Sequence, residues 1–268
     1  MILVHPLIDP VIVSFGIFQI RWYGLAYVLG FIIGLYLIKV INNNIKSALN
    51  NKIIEDFFIW SIIGAILGGR LGYVTFYQFS SIFSDPINIL YIWKGGMSFH
   101  GGLLGLILSI FFYSKRKKIN FFQLSDLVSI VAPIGIFFGR LANFINIELY
   151  GRITDFKFAM IYPTIDDLPR HPSQLYEAFF EGIILFVIMY FFCIKYYKEK
   201  KYGLGTSFFL IFYSLFRFNL EFFREPDSQL GLFLEFFSMG QFLCIPMVTL
   251  GIFIYFKKIN EYYKKKNN

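Results

Sequence analysis

The sequence predicts an all-α integral membrane protein of seven transmembrane helices, with its N-terminus outside, its C-terminus cytoplasmic and a small extracytoplasmic head. Three observations predict this. Hydrophobic residues make up 57% of the 268-residue chain, against about 45–50% in ordinary soluble domains, and mean hydropathy is +0.61. The excess falls in long blocks, each near or above the ~20 helical residues that cross a ~30 Å hydrocarbon core. The connections between the blocks alternate in charge. On one side Lys46 and Lys52, Lys115 to Lys118, Lys195 to Lys201 and the Lys257 to Lys266 tail supply fifteen basic residues; on the other Lys94, Arg152, Lys157, Arg170 and Arg224 supply five. Lys and Arg favour the cytoplasmic side. An outside start and an inside end require an odd number of spans, and seven satisfies it.

The blocks run at about 20–41, 53–79, 97–114, 121–143, 174–194, 203–224 and 237–257. The second exceeds the crossing length, so it is expected to tilt or to end in an interfacial segment. Small residues recur four apart at Gly64, Gly68 and Gly72, at Gly101 and Gly105, and at Gly135 and Gly139. One helical turn separates them, so each set lines a stripe on which another helix backbone approaches closely. The connection from about 147 to 171 holds Pro163, Asp166, Asp167 and Pro169 and is expected to form the small head rather than a separate domain, the rest of 1–268 being one seven-span membrane domain.

A formal charge of +8 would suggest nucleic acid in a soluble protein. Here the charges sit in loops and read as anchors on an anionic inner leaflet, so no nucleic-acid partner is expected. Met1 to Pro10 carries no Lys or Arg, so a basic signal-peptide n-region is not expected there. Cys193 falls at the inner end of one span and Cys244 in the outer half of another. Bridged cysteines need Cα atoms within about 7 Å, so both are expected to be small apolar fillers. His5, His100 and His171 are isolated and no Cys-x-x-Cys occurs, so neither a metal nor another cofactor is expected.

The polar residues of the apolar blocks share one depth. Tyr23, Arg70, Tyr73, His100, Arg140, Asn143, Glu177, Glu181, Tyr213, Arg217 and Glu221 all fall toward the outer ends of their spans, with Asn146 and Glu148 just beyond; only Asp126 lies near an inner end. Intramembrane ionisable groups face a bundle interior or a wet cavity, which predicts a polar chamber open to the outer leaflet. Span-end polar groups also snorkel to the interface singly, but six spans contribute here. Tyr213, Arg217, Glu221 and Arg224 fall on one helical face, where Arg217 and Glu221 can pair. Glu177 and Glu181 share another face and either partner an arginine of a neighbouring helix or hold a shared proton.

The thirteen residues Gly139 to Gly151, G-R-x-A-N-F-x-N-x-E-x-x-G, resemble the signature of the bacterial prolipoprotein diacylglyceryl transferases. Further blocks resemble that family in the same order: Arg21 to Gly24, Gly68 to Tyr73, Gly95 to Gly102, Arg170 to Glu177, Glu221 to Asp227 and Ser238 to Gln241. Asn219 stands where relatives usually carry an apolar residue, and the head is short. The resemblance implies seven transmembrane helices with a small outer head in the bacterial cytoplasmic (inner) membrane, the active site facing the outer leaflet. It also implies transfer of a diacylglyceryl group from phosphatidylglycerol to the lipobox cysteine of an exported prolipoprotein signal peptide, leaving a thioether and glycerol phosphate.

The residues suit that chemistry. The nucleophile is the substrate thiol, whose pKa near 8.5 leaves little thiolate at neutral pH. His100 is the candidate base, or else binds the lipid head group without moving a proton. Arg140 and Arg217 are candidates to clamp the phosphate ester, as guanidinium forks suit it. Asn143 is placed to hold glycerol hydroxyls, Glu148 to orient Arg140 or the incoming peptide, and Tyr23 to position the head group. Asn146, Gly151, Tyr213 and Glu221 complete the candidate substrate-binding set. A transporter or flippase also needs a polar chamber, but with alternating access and often inverted repeats. Another membrane lipid acyltransferase remains the third alternative.

Overall fold

In a computed structural model the chain is described at residues 3–16, 18–45, 49–79, 87, 96–226, 232–233 and 237–267. Lys46, Lys94, Gly95 and Asp227 therefore lie outside the described residues. Helix dominates: α1 is Trp22–Asn44, α2 Asn51–Tyr77, α3 Phe99–Lys117, α4 Phe121–Ile145, α5 Ser173–Lys198, α6 Leu204–Leu220 and α7 Met239–Asn267. Each falls on one expected block. Among the described residues five of them (α1, α2, α4, α5 and α7) are long and apolar enough to cross a membrane, while the apolar α6 has 17 residues and α3 has 19 and ends on Lys115, Arg116 and Lys117. Helix α7 outruns its block through the Lys-rich tail to Asn267, because no Gly or Pro interrupts that tail.

The fold is mostly helical, as expected, and among the described residues three small two-stranded ribbons join the helices: β1 (Leu3–Val4) parallel to β4 (Met160–Ile161), β2 (Val11–Phe15) antiparallel to β3 (Phe18–Arg21), and β5 (Leu232–Phe233) antiparallel to β6 (Phe237–Ser238). Backbone groups outside helices must still find partners, and these extended segments supply them. The 147–171 connection accordingly recruits residues beyond itself, pairing with β1 and forming bridges from Gly151 to Arg224 and from Ile153 and Met160 to Arg170. His5 fixes the chain after β1. Its Nε2 donates to the Phe144 carbonyl (3.0 Å), its Nδ1 accepts from Leu7 N (3.1 Å), and it stacks on Tyr162. Burial pushes the pKa of this imidazole down, which keeps Nδ1 an acceptor.

The described chain divides into two compact units, Met1–Ile41 with Asp126–Asn268, and Asn42–Ser125. In the second unit α2 and α3 pack backbone to backbone. A Cβ on Gly68 would stand 2.3 Å from the Gly101 carbonyl, and one on Gly64 only 2.6 Å from that of Gly105. The glycine stripes of α2 and α3 are therefore a packing device, whereas a Cβ on Gly135 or Gly139 of α4 would meet nothing within 4 Å, so the stripe expected there has room for side chains. Ser109 Oγ and Tyr113 Oη, buried beside them, donate to the carbonyls of Trp60 and Ile53 (both 2.9 Å).

In the first unit Asp126 is a helix cap supplied from another helix. Gly203, with φ +104°, opens α6 and has no side chain to cap it. Asp126 of α4 accepts instead from Gly203 N (2.8 Å), Thr206 N (2.7 Å) and Thr206 Oγ1 (2.7 Å). A carboxylate there satisfies orphan N–H groups and opposes the helix dipole. The one polar residue that the sequence set near an inner span end thus has a structural use. Asp126→Ala is expected to lower stability by about 2 kcal/mol, read as a fall in thermal unfolding temperature in detergent, with Asp126→Asn between it and the wild type.

Candidate active site

Arg140 lies one turn before the end of α4, and its guanidinium is held along two edges. Nε and Nη2 donate to Glu181 Oε2 (3.2 and 3.0 Å), and Nη1 lies 3.1 Å from Glu177 Oε2. Arg217 of α6 donates from Nη1 to Glu177 Oε1 and from Nη2 to Glu221 Oε2. Arg224, just after α6, reaches Glu177 Oε1 at 3.9 Å. Three guanidiniums thus face three carboxylates, with Glu177 bridging Arg140, Arg217 and Arg224. Both Glu177 and Glu181 are 0% exposed, whereas the Arg140 side chain retains 15%.

Local structure explains this convergence. Residues Ala178–Ile184 of α5 wind as a π-helix, a wider turn often found at functional sites. Glu177 opens it and Glu181 lies within it, so both carboxylates turn inward. On the other side the expected Arg217–Glu221 pair forms across one turn of α6. Glu221 is fixed in turn by Ser238, whose Oγ donates to Glu221 Oε1 (2.8 Å). Ser238 also caps α7: its Oγ accepts from Gln241 N (3.3 Å) while Gln241 Oε1 accepts from Ser238 N (3.0 Å). That reciprocal pair is a capping box, and it gives the Ser238-Met239-Gly240-Gln241 motif its physical content. Gly240 has no room for a Cβ, which would stand 2.9 Å from the Glu221 carboxyl carbon.

A second cluster forms where α4 ends. Buried Asn143 donates from Nδ2 to Tyr23 Oη (3.3 Å) and to Glu148 Oε2 (3.1 Å), and Asn146 donates to Glu148 Oε1 (3.4 Å). Glu148 therefore holds the two asparagines, where the sequence suggested that it orients Arg140 or the incoming peptide. The loop reaches this shape through left-handed residues Ile147 (φ 56°) and Leu149 (φ 57°). Two residues of the Arg170 to Glu177 block pin it: Ser173 Oγ donates to Leu149 O (2.9 Å) and Gln174 Nε2 to Glu148 O (2.8 Å). Gly151 is required by close approach, since a Cβ would lie 2.2 Å from His171 O and 2.7 Å from Phe223 O. That gives the glycine a packing role. Arg170 anchors the 147–171 connection against Asp166 (2.6 Å), Glu225 (3.2 Å) and the Gly151 carbonyl (3.2 Å). Its guanidinium holds the Asp166 carboxyl below the usual range.

The structure thus brings Arg140, Arg217 and Glu221 into one ion network, with Tyr213 electrostatically beside it. Tyr23, Asn143, Asn146 and Glu148 form the adjoining hydrogen-bond cluster. His100 stands on the other compact unit, exposed, at the start of α3 and edge-on to Phe99 (5.6 Å). Two residues outside the sequence-derived set join the site. Arg224 enters through Glu177, and Tyr27, one turn after Tyr23 with ring centroids 5.4 Å apart, feels the charges of both Arg140 and Glu148. The four-residue spacing of Tyr23 and Tyr27 was the signal for the second. Cys193 and Cys244 are free and buried. Among the described residues no group of three or more His, Cys, Asp or Glu is placed to hold a metal.

The family model for prolipoprotein diacylglyceryl transferases matches residues 10–257. The chain is 50% identical over 249 residues to the phosphatidylglycerol–prolipoprotein diacylglyceryl transferase of Rickettsia felis, covering 93% of this chain and 96% of that protein. It is 49% identical to the protein of the same name from Rickettsia canadensis, with the same coverage, and 50% identical over 252 residues to that of Rickettsia typhi, covering 94% and 97%.

Proposed function

Because this chain belongs to the prolipoprotein diacylglyceryl transferase family, we propose that it moves the diacylglyceryl group of phosphatidylglycerol onto the lipobox cysteine of exported prolipoproteins. This is the first step of lipoprotein maturation. The thiol sulfur attacks the glycerol carbon that bears the phosphate, the C–O bond to phosphate breaks, and glycerol phosphate leaves while the thiol proton passes to a base. The observation that carries the reading is the convergence of Arg140 and Arg217 on a shared carboxylate, Glu177. Two guanidiniums from different helices stand close enough to bind one phosphate, and the anion is bound by exchanging a carboxylate for a phosphate oxygen. Negative charge grows on the leaving group, and preorganised donors in a dry site stabilise it most.

The finer assignments complete the proposal. Seven spans carry the chain across the bacterial cytoplasmic (inner) membrane with the C-terminus inside, and the polar site faces the outer leaflet beneath the 147–171 head. Arg140 and Arg217 clamp the phosphate. Tyr23 and Asn143 position the head group, held by Asn146 and Glu148, while Tyr213 and Glu221 stand on the arginine side of the site. His100 takes the thiol proton. No cofactor enters. The capping role of Asp126 removes the one inner-end residue that could extend a polar path toward the cytoplasm, which disfavours a transporter.

The test is transfer of labelled phosphatidylglycerol onto a lipobox peptide by purified protein, run beside Arg140→Ala. Transfer by the wild type and its loss in the variant support the proposal; a product whose link is cleaved by mild base identifies an acyl ester and sinks it. His100→Gln is expected to lower activity and to regain part of it above pH 8.5, where the substrate thiol ionises unaided. A variant that gains nothing with pH assigns His100 to the head group.

A further inference from the structure

Among the described ion pairs the charges of the network balance. Arg140, Arg217 and Arg224 balance Glu177, Glu181 and Glu221. A phosphodiester lipid brings one more negative charge. Seated against these guanidiniums, it leaves an uncompensated charge among side chains that are almost wholly buried, where such a charge is costly. Protonation of one carboxylate restores the balance.

The geometry separates the three candidates. Glu177 is approached by all three guanidiniums. Glu221 holds Arg217 through one oxygen and accepts from Ser238 through the other. Glu181 accepts from Arg140 only through Oε2; its Oε1 has no hydrogen-bond partner among the described residues and lies 3.7 Å from Arg217 Nη1. A phosphate drawn to the Nε and Nη2 edge of Arg140 displaces the Glu181 carboxylate directly. The groups around Glu181 are Arg140 from α4, Glu177 from its own helix, Tyr213 and Arg217 from α6, and Cys244 from α7. Among these only the two arginines carry positive charge, and both are claimed by the incoming anion.

We infer that Glu181 is the charge-compensating residue of the site: it takes up one proton from water when the phosphodiester of the lipid binds, and returns it when glycerol phosphate leaves. No bond other than O–H forms or breaks in this step. The inference rests on the phosphatidylglycerol site proposed above and adds a proton to its binding equilibrium.

Calorimetric titration of dioctanoyl phosphatidylglycerol into the full-length protein in detergent tests it, at one neutral pH in two buffers of different ionisation enthalpy. For the wild type the buffer dependence is expected to report close to one proton taken up per lipid bound, with no thiol peptide present. Glu181→Gln, a neutral mimic of the protonated form, is expected to bind the lipid with no uptake and with an affinity that no longer weakens as pH rises. Equal uptake in wild type and variant, or none in the wild type, overturns the inference. Should the variant fail to fold, infrared difference spectra of the wild type decide: lipid binding brings up a protonated-carboxyl carbonyl band, and its absence refutes the assignment. A protein that binds the lipid and lipidates the peptide without proton uptake removes this inference and leaves the proposed function; a protein that does neither removes both.

Discussion

Replacing Arg217 with lysine is expected to lower diacylglyceryl transfer by about 10²–10³-fold, the loss found when one preorganised oxyanion donor is removed. Arg217 uses Nη1 on Glu177 and Nη2 on Glu221, so its fork is fixed by two carboxylates from two helices. Lysine keeps the charge and leaves no carboxylate buried without a cation, so the drop in stability stays within about 2 kcal/mol. What it loses is the planar pair of donors that matches two phosphate oxygens at once. Turnover of labelled phosphatidylglycerol into a lipobox peptide, measured beside thermal unfolding in the same detergent, separates the two effects. A lysine variant that transfers lipid at a near-normal rate removes Arg217 from the clamp.

The helices were legible in the sequence because block length and apolar content are local properties. All seven elements fall on the expected blocks, and the Gly64, Gly68 and Gly72 stripe announced its close partner before that partner was known. The ribbons were not legible for the opposite reason. Residues Leu3 and Val4 pair with Met160 and Ile161, and no local pattern links segments of two residues so far apart in sequence. The site divides the same way. Its residue types and their common depth could be read directly, because charge in an apolar run is conspicuous. Partner choice could not. Glu177 and Glu181 read as arginine partners at four-residue spacing, but that spacing did not reveal the π-helical turn or that each faces Arg140 and Arg217 together. Glu148 read as orienting Arg140 or the incoming peptide; that its carboxylate meets Asn143 and Asn146, in a loop with left-handed backbone at Ile147 and Leu149, had no local signature.

Glu177→Gln is expected to lower stability more than any other single change in the network, by about 3–5 kcal/mol. Glu177 is the only carboxylate within 4 Å of three guanidiniums among the described ion pairs. It is wholly buried, so water cannot replace it. The variant leaves three cations facing Glu181 and Glu221 alone. Glutamine keeps the shape and one oxygen acceptor, which isolates the missing charge from any cavity effect. The excess positive charge also makes a specific demand on the lipid. If phosphate binds these guanidiniums, phosphatidylglycerol added to the detergent supplies the anion the variant lacks. At a hundred times its dissociation constant a ligand of the folded state adds about 2.7 kcal/mol, enough to recover much of the loss. Zwitterionic phosphatidylcholine, whose own cation offsets its phosphate, should recover less. Unfolding temperatures of wild type and Glu177→Gln in each lipid measure this directly: a larger rise in the variant than in the wild type, confined to the anionic lipid, locates phosphate at the arginine cluster. An equal rise in both proteins, or an equal effect of both lipids, places the head group elsewhere.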